Sequence, residues 1–266
     1  MNETSPAPVA YTVESGVATI TLDRPTASNA LNRAMKEQLL HALSAAKNDD
    51  GVRAVALLAA GRNFCVGQDL GEHVEALRAD PSHAMDTVRE HYNPLVRALH
   101  DIEVPVVAGI TGACVGAGLG LALATDIRIA GTRAKFGTAF TGIGLASDSA
   151  LSASLTEVVG KSRATALFLL GDTVDADTAH TWGIVHRVVA DEEVAGQTTA
   201  LAARLAAGPT AAFTAVKALI AANAGADLNT VLEREADAQQ RLGASVDHSA
   251  AVEAFLAKQR PVFVGH

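Results

Sequence analysis

Apolar and polar residues alternate through residues 11–22, Tyr-Thr-Val-Glu-Ser-Gly-Val-Ala-Thr-Ile-Thr-Leu, on either side of Ser15-Gly16, a pattern that predicts a β-hairpin. After Arg24-Pro25 the period lengthens. Leu31, Met35, Leu39, Ala42, Leu43 and Ala46 recur at helical spacing until Asn48-Asp-Asp-Gly51 stops them. The apolar run at 52–58 then reads as a buried strand. The outline repeats: a turn at 61–67, helical segments to about His100, a strand at 104–110, a glycine turn with a small-residue helix, and a strand at 126–130. Strands alternating with helices predict an α/β fold. Further on, helices are expected over 161–170 and from Asp175, with a last short strand at 184–189. From about Glu192 only helical periodicity is present, broken at Gly208-Pro209, Gly225 and Gly243. The chain is therefore divided into a core at 1–191 and an alanine-rich helical region at 192–266, whose exposed faces suit subunit packing.

Composition narrows the classes. Hydrophobic residues make up 49% of the 266 positions, charged residues 19%, and alanine about a fifth, as in a folded, helix-rich chain. The formal charge is -8 and the basic residues are scattered, which argues against a nucleic-acid surface. Cys65 and Cys114 form no C-x-x-C pair, so a disulfide framework or thiolate zinc site is excluded and a reducing compartment is expected. The opening MNETSPAPVA lacks a basic n-region and an apolar h-region, so a cytoplasmic location is expected. Residues 104–125 carry no charge and place Gly112, Gly116 and Gly120 four apart, as a membrane helix can. Pro105, five glycines and the absence of basic flanks instead predict a strand, turn and helix inside protein, with no membrane contact.

Several chemistries fail on spacing. No His-x-x-x-His occurs, so no metal is expected; Gly116-Ala-Gly118-Leu-Gly120 misplaces the third glycine of a dinucleotide loop; no G-x-S-x-G elbow exists. Two turns remain, Gly61-Arg-Asn-Phe-Cys-Val-Gly-Gln-Asp69 and Gly112-Ala-Cys-Val-Gly-Ala-Gly-Leu-Gly120. Backbone N–H groups left unpaired in them could converge as an oxyanion hole. Equally, the glycines could serve only close strand-to-helix packing.

The ordered set Arg24-Pro-Thr-Ala-Ser-Asn-Ala-Leu-Asn32, Asn63-Phe-Cys-Val-Gly-Gln-Asp-Leu70, and Ile110-Thr-Gly-Ala-Cys-Val-Gly-Ala-Gly-Leu-Gly-Leu-Ala122 with Asp126-Ile-Arg-Ile-Ala130 resembles the enoyl-CoA hydratase/isomerase (crotonase) superfamily. Phe136-Gly137, Ile143-Gly-Leu145, Val159-Gly-Lys-Ser-Arg-Ala164 and Ala179-His-Thr-Trp-Gly-Ile-Val185 extend the resemblance over nearly the whole chain. It implies a spiral of β-β-α units with a C-terminal helical trimerisation region, assembled as a homotrimer or a hexamer of two trimers. It also implies an acyl-CoA thioester substrate and no separate cofactor, with the thioester oxygen held by the backbone N–H groups of Gln68 and Ala117. Because main chain is the donor, the side chain at 68 is expected to be replaceable. Ala30, Val66, Gln68, Asp69, Leu70, Gly116, Ala117 and Phe140 are the substrate-binding positions that the resemblance implies.

The carboxylates bear on the reaction. Hydratases of the superfamily use two glutamates, and the matching positions here hold Gly120 and Phe140. The segment Phe140-Thr-Gly-Ile-Gly-Leu-Ala-Ser-Asp-Ser-Ala150 is instead similar to the loop of the isomerase branch, including enzymes of phenylacetate degradation, in which the aspartate is the base. Asp148 then shifts a 3-enoyl double bond to position 2, with Phe140 as an apolar wall. It departs from the pattern at Ala146-Ser147 and at Ala150, where glycine is usual. Capping of the next helix is the other role open to Asp148 or Ser147. Glu72, Glu75, Asp80, Asp86 and Glu90 are a reserve of acids. A hydratase using another acid and a non-catalytic acyl-CoA binder are the alternatives to an isomerase.

Overall fold

A computed structural model of the protein describes residues 7–265. The expected hairpin forms from β1 (Val9–Glu14) and β2 (Val17–Leu22), antiparallel, with Glu14 opposite Val17. Ser15 and Gly16 both take positive φ, 49° and 78°, the geometry a two-residue hairpin turn needs to match strand twist. α1 (Arg33–Asn48) starts at Asn32, whose side chain accepts from Met35 N–H, and buries Met35, Leu39, Ala42, Leu43 and Ala46.

The chain continues through β3 (Ala54–Ala59), α2 (Leu70–Ala79), a π-helical turn (Val88–Tyr92) and α3 (Asn93–His100). Next come β4 (Val106–Ile110), β5 (Ala113–Val115), α4 (Ala117–Leu123), β6 (Ile127–Gly131) and β7 (Lys135–Gly137). After α5 (Leu151–Val159), α6 (Lys161–Leu170), β8 (Thr173–Asp175), α7 (Ala176–Thr181) and β9 (Arg187–Val189), only helices follow. These are α8 (Val194–Ala206), α9 (Thr210–Asn223), α10 (Leu228–Gly243) and α11 (Val246–Leu256).

The main sheet has six strands in the order β1-β2-β3-β4-β6-β9, parallel from β2 onward, and a second sheet has the order β5-β7-β8. Each pass feeds both. β4 turns directly into β5 and β6 into β7, while after β3 only Cys65 reaches the second layer, in a parallel bridge to Cys114. This step-and-repeat path is the spiral that the motifs imply. Three strands of the second sheet escape the hydropathy pattern because each spans only three residues. Residues 104–125 supply β4, β5 and α4, and every residue of α4 is buried in protein. No single helix among the described residues is long and apolar enough to cross a membrane.

Period two in the strands assigns the core. Ala18, Ile20, Val55, Leu57, Val106 and Ala108 face the main cluster, where α1, α3 and α4 pack. Their neighbours Val17, Ala54, Ala56, Val107 and Ile129 face the other way and meet Leu201, Ala202 and Ala206 of α8. Gly109 permits that approach, since a Cβ there would lie 2.5 Å from Thr198 Oγ1. α8 thus lies beyond residue 191 yet covers the main sheet. The later helices project Ile220, Leu228, Phe255 and Leu256 into solvent. Lys217 of α9 ties them to the core, donating to Ile102 O (2.8 Å), Val104 O (2.8 Å) and Asp126 Oδ2 (2.6 Å).

Replacing Lys217 removes the donor to two carbonyls and leaves Asp126 Oδ2 with only the Val106 N–H (2.7 Å), so Lys217→Ala is expected to cost about 1–3 kcal/mol in urea unfolding. An unchanged midpoint would mean that water satisfies these groups equally well.

Candidate active site

The two glycine turns are stitched to each other before either helix begins. Phe64 N–H donates to Thr111 O (2.7 Å), Cys65 N–H to Ala113 O (3.1 Å) and Val115 N–H to Cys65 O (3.0 Å). Two asparagines of the motifs brace the junction. Asn29 Nδ2 donates to Ala60 O (2.9 Å) and Asn63 O (2.8 Å), and Asn63 Oδ1 accepts from Ala113 N–H (2.9 Å). The glycines are needed for contact: a Cβ on Gly118 would sit 2.4 Å from Cys65 O, and one on Gly112 2.0 Å from Arg62 O. Close packing and unpaired amides, left open by the sequence, therefore occur together.

The unpaired amides arise as follows. Leu31 clips the first turn from both sides of residue 68: its N–H donates to Gly67 O (2.8 Å) and its carbonyl accepts from Asp69 N–H (3.3 Å). The Gln68 N–H between them has no acceptor among the described residues. In the second turn Gly116 takes φ 57° and ψ -129°, open only to glycine, and Ala117 begins α4 with its N–H likewise unpaired. A Cβ on Gly67 would stand 3.5 Å from Ala117 N, which measures how near the two turns come.

A cavity of about 560 Å³ opens over these amides. Ala30, Val66, Gln68, Asp69, Leu70, Gly116, Ala117, Phe140 and Asp148 all line it, so the positions named from sequence come together. His73, Met85, Thr87, Tyr92, Ile143 and Leu145 line it as well. Two carboxylates face the space. Asp69 is committed, capping α2 through Glu72 N–H (3.1 Å) and pairing with Arg24 (3.0 Å). Burial pushes its carboxyl up, but the Glu72 N–H and the Arg24 guanidinium outweigh that and hold it below the usual value. Among the described residues the Asp148 carboxylate has one hydrogen-bond partner, the Ser149 hydroxyl (2.8 Å). Burial raises its carboxyl above the usual value and the Ser149 bond opposes only part of that. Asp148 does not cap α5 with its side chain: Ala150 is the N-cap residue and no side chain bonds there.

The reserve acids stay out. Glu75, Asp80, Asp86 and Glu90 do not line the cavity, and Glu72 binds Lys36 Nζ (2.7 Å). Burial raises the Glu72 carboxyl, but the Lys36 and Arg33 contacts outweigh it and leave the group below its ordinary value. Sequence reasoning missed the polar cluster built on this pair. Lys36 is 1% exposed, a position rare for lysine, and also donates to Thr87 Oγ1 (2.8 Å) and Gln68 Oε1 (3.4 Å). Its ammonium lies 5.4 Å from the Tyr92 ring centre, and the buried Tyr92 hydroxyl donates to Gln68 Oε1. Gln68 Nε2 in turn donates to Glu72 Oε1 (3.3 Å). The side chain at 68 is thus held at both ends, a structural role that the expectation of a replaceable side chain did not include.

A spiral of paired strands whose successive glycine turns converge on an apolar cavity is the crotonase fold. The enoyl-CoA hydratase/isomerase family matches residues 12–266, and the chain belongs to that family. It is 41% identical to the 1,2-epoxyphenylacetyl-CoA isomerase of Escherichia coli K12 over 95% of this chain and 97% of that one. A Mycobacterium abscessus structure described as an enoyl-CoA hydratase/isomerase is 71% identical, with a TM-score of 0.96 over 97% of this chain and all of that one. An enoyl-CoA hydratase of Mycobacterium smegmatis is 31% identical at TM-score 0.88, covering 96% and 98% of the two chains. Relatives of both reaction types therefore share this fold, and the protein is an acyl-CoA enzyme of the superfamily.

Truncating Gln68 would strand the Tyr92 hydroxyl and one contact of a buried ammonium. Gln68→Ala is therefore expected to lose about 1–3 kcal/mol of stability in denaturant. A loss below a few tenths would show the cluster to be incidental.

Proposed function

We propose that the protein moves the double bond of a 3-enoyl-CoA to position 2, with Asp148 as its only base. The observation that carries this reading is the cavity's carboxylate inventory: of two, Asp69 is consumed by Arg24 and the α2 cap, and only Asp148 is free. Hydration needs one group for the attacking water and one to protonate carbon, and Gly120 and Phe140 supply neither. An allylic shift needs one. Asp148 takes a proton from C2, the C2–H electron pair moves into the dienolate, and the thioester oxygen gains the charge. The Gln68 and Ala117 amides, already oriented and free of other acceptors, would stabilise that oxygen. Asp148 then returns the proton to C4, which leaves the double bond between C2 and C3 with no water and no redox change.

The apolar wall assists. Phe140, buried beside Gly116, limits water at the carboxylate and favours its protonated form. That brings the base closer to the acidity of the α-carbon (C2) proton than a solvated aspartate would be. Similarity to the E. coli isomerase supports an isomerisation, and the substrate could carry a ring as well as a straight chain. The exposed apolar residues of α9 to α11 favour a trimer or a pair of trimers as the working form.

Asp148→Asn keeps size but cannot accept a proton at neutral pH, so isomerisation is expected to fall on the order of 10²–10⁴-fold. A folded variant with wild-type turnover would exclude this base. Robust hydration of 2-enoyl-CoA by the wild type would favour a hydratase, and tight thioester binding without turnover a binder. Since the base acts deprotonated and burial raises its carboxyl, kcat/KM is expected to be full at neutral pH. It should decline as pH falls through a value above the ordinary aspartate pKa of about 3.9. A limb at or below that value would contradict a buried base.

Light scattering at micromolar concentration is expected to report a trimer or hexamer, and a stable monomer would remove the oligomer from the proposal.

A further inference from the structure

Gly120 is more than the place where a hydratase would hold an acid. A Cβ built on it would lie 2.5 Å from Ser149 Cβ and 2.9 Å from Ser149 O, so the loop carrying Asp148 rests directly on the backbone of α4. Ser149 is 2% exposed and Gly120 is buried, so neither can move aside without opening the core. The loop is also strained at this point. Ser149 and Ala150 take φ 52° and 57° in succession, a left-handed pair that side-chain-bearing residues seldom adopt. Such a conformation persists only where surrounding contacts impose it, and it concentrates at functional positions. The imposed geometry has one polar result: Ser149 Oγ donates to Asp148 Oδ1 at 2.8 Å, the only side-chain hydrogen bond that this carboxylate makes among the described residues.

We infer that Ser149, seated on Gly120, is a positioning residue that turns the Asp148 carboxylate into the cavity with its free oxygen toward the substrate carbons. The inference rests on the isomerase reading above and deepens it. It also makes the two chemistries exclusive at this spot, because a glutamate at 120 would occupy the volume that Ser149 needs. The bond has a second effect: a hydroxyl donating to the ionised carboxylate favours the charged form and partly offsets burial. The other titratable groups around the cavity are Tyr92 from the π-helical turn, His73 of α2, and Asp69 paired with Arg24. None is bonded to Asp148, and all are common to the variants below.

The test compares wild type, Ser149→Ala and Gly120→Ala, the last retaining the hydroxyl while pushing its carrier away. Protein labelled with ¹³C at the aspartate carboxyl is titrated, with the Asp148 resonance assigned by its loss in Asp148→Asn, and kcat and KM are measured on a 3-enoyl-CoA. In both variants the Asp148 midpoint is expected to move to higher pH, and kcat to fall on the order of tenfold with KM nearly constant. Unchanged midpoint and kcat in folded Ser149→Ala would overturn the inference. So would a fall in kcat with a lowered melting temperature and an unmoved midpoint, which marks a merely structural role. If wild type isomerises no thioester, the functional reading fails, whereas the carboxyl titration of the three proteins still decides whether Ser149 governs Asp148.

Discussion

Backbone lying against backbone is the constraint from which the site follows. Where the first turn crosses the second, carbonyl oxygens of Arg62 and Cys65 come within side-chain distance of Gly112 and Gly118, and no residue with a Cβ fits. The hydrogen bonds that stitch the crossing use the peptide groups of residues 64, 65, 111, 113 and 115. Once those groups are spent, the chain must climb out of the crossing before α2 and α4 can start. The amides at the climb, Gln68 and Ala117, are left over. Both amides line the cavity with no acceptor among the described residues, the arrangement on which the proposed oxyanion site rests.

Charge placement around that crossing follows a consistent logic. Burying Lys36 is unfavourable unless its proton donors are matched, and Glu72, Thr87, Gln68 and the Tyr92 ring match them. Tyr92 and Gln68 of the cluster line the same cavity as Asp148, and the Asp148 charge helps raise the Tyr92 hydroxyl above its ordinary value, while Glu72 is held by Lys36, Gln68 and the Arg33 N–H. Phe140, Leu145 and Ile143 give the cavity that Asp148 lines an apolar surface. The cavity lining thus combines neutralised charge of fixed geometry with one carboxylate that carries no basic partner among the described residues.

Much of this was legible in the chain. The Ser15-Gly16 turn, the α1 stripe and the glycine turns are local patterns, each set by steric rules that act within a few residues. Asp148 was singled out through its neighbours Phe140 to Leu145, and it lines the cavity together with the other named positions. What escaped was whatever depends on distant segments. Lys36 falls on a helix between apolar positions and reads as a solvated residue; only the return of α2 and the π-helical turn makes it interior. The three-residue strands of the second sheet are defined by their partners and not by any period. α8 looks like part of the helical tail because alanine gives the same pattern on a sheet as on a neighbouring helix.

The backbone bridge that joins the layers is formed at two residues with free, buried thiols, Cys65 and Cys114. Burial pushes Cys65 up to about 12 and Cys114 well above its ordinary value, so neither forms thiolate at neutral pH while the turns are closed. Both are fully buried, so alkylating reagents reach them only when the core around them opens. The rate at which these sulfurs become reactive therefore reports how often the core around the crossing opens, and a ligand held at the amides would slow it.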